Sequence, residues 1–130
     1  MYLFDSDWII QAISRRQPAT RILDQLATSP IHVSYVTVGE LYERAFWSAN
    51  PRAFLLGYRH FLSFYGMLGL THQIMERFAE LRAYLRRRGQ LILDFDLVIA
   101  ATALQYDLTL LTFNRRHFER IPDLRLYQLP

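Results

Sequence analysis

The chain has 130 residues, 52% of them hydrophobic, with no cysteine and a formal net charge of +3. Without Cys there is no thiolate metal site, disulfide scaffold or cysteine nucleophile. The longest apolar run, from Leu97 to Leu104 and broken by Thr102, falls far short of the roughly 20 residues that span a bilayer. All 15 basic residues are Arg, whose planar fork pairs bidentately with phosphate. Genomic base composition favouring Arg codons explains the same bias, so a polyanionic partner is permitted rather than required.

A single domain over residues 1–130 is expected, with a core of useful size. The opening MYLFDSDW has no basic head before an apolar segment, so it does not read as a secretory signal, and a cytoplasmic location is expected. In chain order, YLF followed by Asp5 reads as a short buried strand. Pro18 to Ala27 has helical spacing, and IHVSYV, Ile31 to Val36, is a second strand rich in β-branched and aromatic residues. Thr37 to Ala49 and Pro51 to Tyr65 read as helices, with Pro51 suited to a first-turn position. Thr71 can cap a longer helix to Arg88, in which Ile74, Phe78, Leu81 and Leu85 recur every three or four residues and which Gly89 ends. Asp94 and Asp96 open the next helix. LTLLT, Leu108 to Thr112, is a third strand, and LRLYQL near the C-terminus a fourth. Strands alternating with helices imply a three-layer α/β/α domain around a mainly parallel sheet of about four to five strands.

In such a sheet the functional cleft lies at the carboxyl ends of the strands. The first strand ends at Asp5, followed by Ser6 and Asp7. The second leads into Thr37 and Glu40, whose spacing is that of a capping box, and the third ends with Thr112 and Asn114. Each acid also has an ordinary structural use: Asp5 as a helix N-cap, Glu40 as the closing residue of its box, Asp94 or Asp96 as a helix start. Jointly they call for more. Acids crowded on one rim raise one another's pKa unless a cation sits among them, and Mg²⁺ or Mn²⁺ is the hard ion that carboxylate oxygen suits.

The segments YLFDSDWII, VTVGELYERA and DFDLVIAATALQYDLTLLTFNRRHFERIP, in this order, resemble the PIN-domain family, and within it the VapC-like toxins of bacterial toxin–antitoxin pairs. The resemblance implies an Mg²⁺- or Mn²⁺-dependent endoribonuclease, acting on RNA that includes tRNA in some members. Carried over position by position, the family's core acids fall on Asp5, Glu40 and Asp96. Asn114 stands where many members have an acid or Asn and offers an amide oxygen, without charge, to a weak metal position or a water. Asp94 would be an accessory metal ligand or merely a helix cap. Ser6 and Thr112 match small hydroxyl positions that orient the site, and Asp7 stands where Asn is common. Arg115 and Arg116 are the expected phosphate contacts, while His117 is read as structural or RNA-facing and the other histidines lack ligand spacing.

The resemblance also implies a homodimer and a small antitoxin whose C-terminal segment blocks the acidic site, with no membrane partner. Trp47, Phe54, Phe61 and Phe64 lie in a stretch richer in large apolar residues than one helix face needs, and serve either as core or as interface. Two other functions stay open on the sequence. One is a catalytically inactive PIN-like binding module, which the Asn at 114 favours. The other is a metal-dependent phosphatase or processing nuclease outside toxin–antitoxin systems.

Overall fold

The structure, a computed structural model, describes residues 1–129. Four strands, β1 (Tyr2–Phe4), β2 (Ile31–Ser34), β3 (Gly66–Leu68) and β4 (Thr109–Leu111), form one sheet in the order β3-β2-β1-β4 with every pairing parallel. Seven helices connect and cover it: α1 (Ser6–Ile13), α2 (Ala19–Gln25), α3 (Tyr35–Trp47), α4 (Pro51–Leu62), α5 (His72–Arg87), α6 (Asp94–Gln105) and α7 (Arg115–Phe118).

Because strand side chains alternate between faces, neighbouring residues of one strand build different cores. Leu3 and Leu110 pack with Ile74, Leu81 and Leu85 of α5 and Leu97 and Ile99 of α6. Phe4, Val33 and Leu111 pack on the opposite face with Trp8, Ile9, Ile22, Leu41 and Tyr58. This is the three-layer arrangement expected from the alternating pattern. Helix α6 is buried on every side from Asp96 to Ala103, since it lies between α5 and the sheet. The helix ends follow local chemistry. Thr71 caps α5 by accepting from Ile74 N at 3.2 Å, and Asn50 caps α4, with Pro51 in its first turn. Gly89, at φ 64°, lets the chain turn away after α5.

Three boundaries differ from the sequence expectation. The second strand ends at Ser34, not Val36, because the Ser34 hydroxyl accepts from Val36 N at 3.1 Å and starts α3 there. Thr37 is therefore not the cap, and Glu40 closes no capping box; the Thr37 hydroxyl is buried without a partner. LRLYQL is not a full strand: Leu126 alone bridges Leu110, through Leu110 N to Arg125 O and Tyr127 N to Leu110 O, both 2.9 Å. Strand β3, flanked by glycines and half-exposed at the sheet edge, was not expected at all.

Of the aromatic residues in the middle stretch, Trp47 is 91% exposed, Phe64 69% and Phe54 46%, so these three are not core. Phe61 packs partly into it. Among the described residues no helix is long and apolar enough to cross a membrane.

Candidate active site

The parallel register sets the carboxyl ends of β1, β2 and β4 side by side, and each delivers polar residues to the same rim. Asp5 follows β1 and caps α1: its Oδ1 accepts from Ser6 N and its Oδ2 from the Thr112 hydroxyl, both at 2.8 Å. Thr112 itself follows β4, so this last bond ties the neighbouring strands β1 and β4 across 107 residues of chain. Asp7, in the first turn of α1, accepts from Phe113 N at 3.0 Å through Oδ2, while its Oδ1 is buried without a partner. Glu40 enters from α3, with Oε1 likewise buried and unpartnered. Asp96 enters from the first turn of α6 and is buried.

These carboxylates act on one another. Burial pushes Asp5 up to about 7, helped by the charges of Asp7 and Glu40 and opposed by the Thr112 and Ser6 bonds. Burial likewise raises Glu40 to about 7, with Asp96 the next cause and the nearby Ser6 hydroxyl pulling the other way. Asp7 is raised by burial too, against the Phe113 and Trp8 amides, with Asp96 adding to the rise. Asp5, Asp7, Glu40 and Asp96 thus form one electrostatic cluster. Asp7, left without a role by sequence reasoning, belongs to it; its position in the turn after Asp5 was the available signal.

The donor set suits a hard divalent cation. Two buried carboxylate oxygens lack donors, and among the described residues no Arg pairs with any of the four acids. As the side chains stand, no three Asp, Glu or His groups among the described residues are gathered closely enough to ligate one ion. Asp5, Glu40 and Asp96 hold the oxygens that would close on it, with Asp7 Oδ1 in reserve.

Other expected site residues lie elsewhere or act differently. Asp94 is not in the cluster; its Oδ1 pairs with Arg82 Nε at 2.9 Å, and its side chain is 60% exposed. The side chain at 94 points along the outer face of α6 while that at 96 points inward, as positions two apart on a helix must. Arg115 is not free for phosphate: Nη1 donates to Tyr127 O at 2.9 Å and Nε lies 3.4 Å from Glu119. Arg116 is exposed and has no polar partner among the described residues. Asn114 presents its amide nitrogen, not its oxygen, to Asp96 Oδ2, at 3.4 Å. His117, which sequence reasoning set aside, reaches the cluster, with Nδ1 3.2 Å from Asp96 Oδ2 and 2.9 Å from Asn114 Nδ2.

A parallel sheet covered on both faces, with acids from the segments after β1 and β2 and from the start of α6 converging on its carboxyl rim beside Thr112 after β4, defines an α/β domain with an acidic polar site at the strand ends. The PIN domain family matches residues 2–124, and the chain belongs to that family. It is 32% identical to "Ribonuclease VapC2" of Haemophilus influenzae over 124 residues, covering 95% of this chain and 94% of that one. It is 30% identical to the "tRNA(fMet)-specific endonuclease VapC" of Salmonella typhimurium over 125 residues, covering 96% and 95%. Among solved structures it is similar to VapBC2 of Rickettsia felis bound to a DNA fragment from its promoter, with TM-score 0.91 and 27% identity over 99% of this chain and 98% of that one.

Proposed function

We propose that the chain is a divalent-metal-dependent endoribonuclease that acts as the toxin of a toxin–antitoxin pair. The observation that carries this reading is the buried carboxylate cluster of Asp5, Asp7, Glu40 and Asp96, two of whose oxygens lack any donor, in a chain whose relatives are named ribonucleases. A bound Mg²⁺ or Mn²⁺ supplies Lewis acidity, activating water and neutralising charge on the phosphodiester.

The chain's own residues do the rest. Ser6 N and Thr112 fix the Asp5 carboxylate from two sides, so it cannot rotate out of the cleft. The Phe113 amide fixes Asp7 in the same way. Arg116, exposed beside the rim, is placed to meet the substrate backbone, whereas Arg115 fastens the C-terminal segment. The whole of residues 1–130 serves as one domain in the cytoplasm.

An antitoxin suits the apolar groove between α1 and α4, lined by Ile10, Ile13, Phe54 and Tyr58. The structural relatives include a VapBC complex. Exposed Trp47 and Phe64 suit a homodimer contact.

Cleavage of total RNA by the purified protein with Mg²⁺ or Mn²⁺ tests the proposal, beside an EDTA control and the Asp5→Ala and Asp96→Ala variants. Discrete products lost in all three controls are expected. Folded protein that is inert with either ion would favour the binding module, a reading that the uncharged Asn114 amide turned toward Asp96 supports.

A further inference from the structure

We infer that His117 is a positioning residue for Asp96: with Asn114 it clamps Oδ2 of that carboxylate and leaves Oδ1 to face the cleft. The inference rests on the reading of the cluster as a metal site and names a residue that reading does not use.

Three contacts form a closed triangle. Asn114 Nδ2 lies 2.9 Å from His117 Nδ1 and 3.4 Å from Asp96 Oδ2, and His117 Nδ1 lies 3.2 Å from the same Oδ2. One ring nitrogen cannot both accept from Asn114 and donate to Asp96. With the proton on Nε2, the two hydrogens of the Asn114 amide serve His117 Nδ1 and Asp96 Oδ2. With it on Nδ1, the imidazole donates to Oδ2 directly. Either way the donors fall on Oδ2 and not on Oδ1. In the first arrangement His117 also sets the amide orientation, because an Asn114 turned by half a rotation would set its oxygen against the lone pair of His117 Nδ1 as well as against the carboxylate.

The triangle is mounted on fixed parts. Asn114 N donates to the Thr112 hydroxyl at 3.0 Å, and that hydroxyl donates to Asp5. One residue beyond His117, Phe118 is fully buried in the core between α5, α6 and the sheet. Arg115 holds the other side of α7 to the C-terminal segment. His117 therefore approaches Asp96 from a short helix pinned at both ends, the mounting a carboxylate needs if its remaining oxygen is to be presented in one direction.

The test titrates Mn²⁺ into the RNA-free full-length protein, followed calorimetrically or by electron paramagnetic resonance, for wild type, His117→Ala and His117→Asn. The Asn amide nitrogen or oxygen can stand where Nδ1 stands. Steady-state cleavage is measured alongside. The expected result is about 10-fold weaker Mn²⁺ binding in His117→Ala, within the range that loss of a ligand's hydrogen-bond partner produces. Its kcat should fall at fixed metal and recover at higher Mn²⁺, with KM for RNA unchanged and most of the affinity restored in His117→Asn. Unchanged Mn²⁺ affinity with raised KM would make His117 an RNA contact and overturn the clamp. So would a lower melting temperature with normal Mn²⁺ affinity. If His117→Ala does not fold, equal affinity in His117→Asn and wild type supports the clamp and loss in His117→Asn overturns it. A wild type that cuts RNA but shows no Mn²⁺ binding would instead overturn the metal-site reading, and the clamp with it.

Discussion

Arg82 Nε lies 2.9 Å from Asp94 Oδ1, on the outer face of α6 and two residues before the carboxylate that enters the cleft. Two acids in one helical turn thus divide the work: Asp94 makes a surface ion pair in the positive first turn of the helix, and Asp96 joins the cluster. An exposed pair of this kind contributes about 0–1 kcal/mol. Asp94→Asn should therefore lower stability by no more than about 1 kcal/mol and leave RNA cleavage within twofold. Asp96→Asn should reduce cleavage to background. Parallel cleavage time courses and melting curves decide it, and comparable activity losses would return Asp94 to the site.

The acid cluster makes metal-free stability depend on pH in a defined direction. Asp5 and Glu40, each at about 7 when folded, keep protons that the unfolded chain releases near 3.8 and 4.5. Between those values the native state binds more protons than the unfolded state, so stability falls as pH rises and levels off above 7. In EDTA, Tm should be lower at pH 8 than at pH 5. The drop should be smaller in Asp5→Asn, which has one fewer acid to ionise. Adding Mn²⁺ at pH 8 should raise the wild-type Tm, because an ion bound only by the folded form stabilises it.

At the start of α3 the hydroxyl that matters is Ser34, fully buried and bonded to Val36 N. Ser34→Ala should cost about 1 kcal/mol in urea unfolding, the usual loss for a removed N-cap. Thr37 Oγ1 is buried with no partner. Thr37→Val keeps the shape and removes an unsatisfied group, so it should be neutral or stabilising. A larger loss for Thr37 than for Ser34 would restore the capping box.

Phe54 lines the apolar groove at a distance in sequence from every acid of the cluster. Phe54→Ser should weaken binding of a cognate antitoxin by 10-fold or more, as loss of a large aromatic anchor does. Free-toxin cleavage should stay within twofold. Surface plasmon resonance with both proteins measures the first, and unchanged antitoxin affinity would place the partner elsewhere.

Local chemistry explains which features were legible in the sequence. Tyr2–Phe4 and Thr109–Leu111 read as strands because their consecutive apolar residues, Leu3 and Phe4, Leu110 and Leu111, are buried on opposite faces of the sheet, and Thr71 and Gly89 mark α5 because caps act on adjacent backbone. Ser34 misled because it sits inside a run of strand-forming residues, where nothing local says whether its hydroxyl will start a helix. Strand β3 has three residues and one neighbour, too little for a pattern. The roles of Asp94, Arg115 and His117 depended on partners 12 to 21 residues away, Arg82, Tyr127 and Asp96, that only the packed chain supplies.

Strand β1, which leads into Asp5, is synthesised well before its neighbour β4, which leads into Thr112; the two residues lie 107 positions apart. Asp96 and His117 also come late in the chain. A nascent polypeptide therefore has Asp5 and Glu40 but neither the sheet edge nor the side chains that complete the rim. On the proposed activity, a chain still being made should not cut RNA until β4 and α7 have been added and the rim is complete. A chain ending before Thr112 should therefore be an inert fragment, not a partly active nuclease.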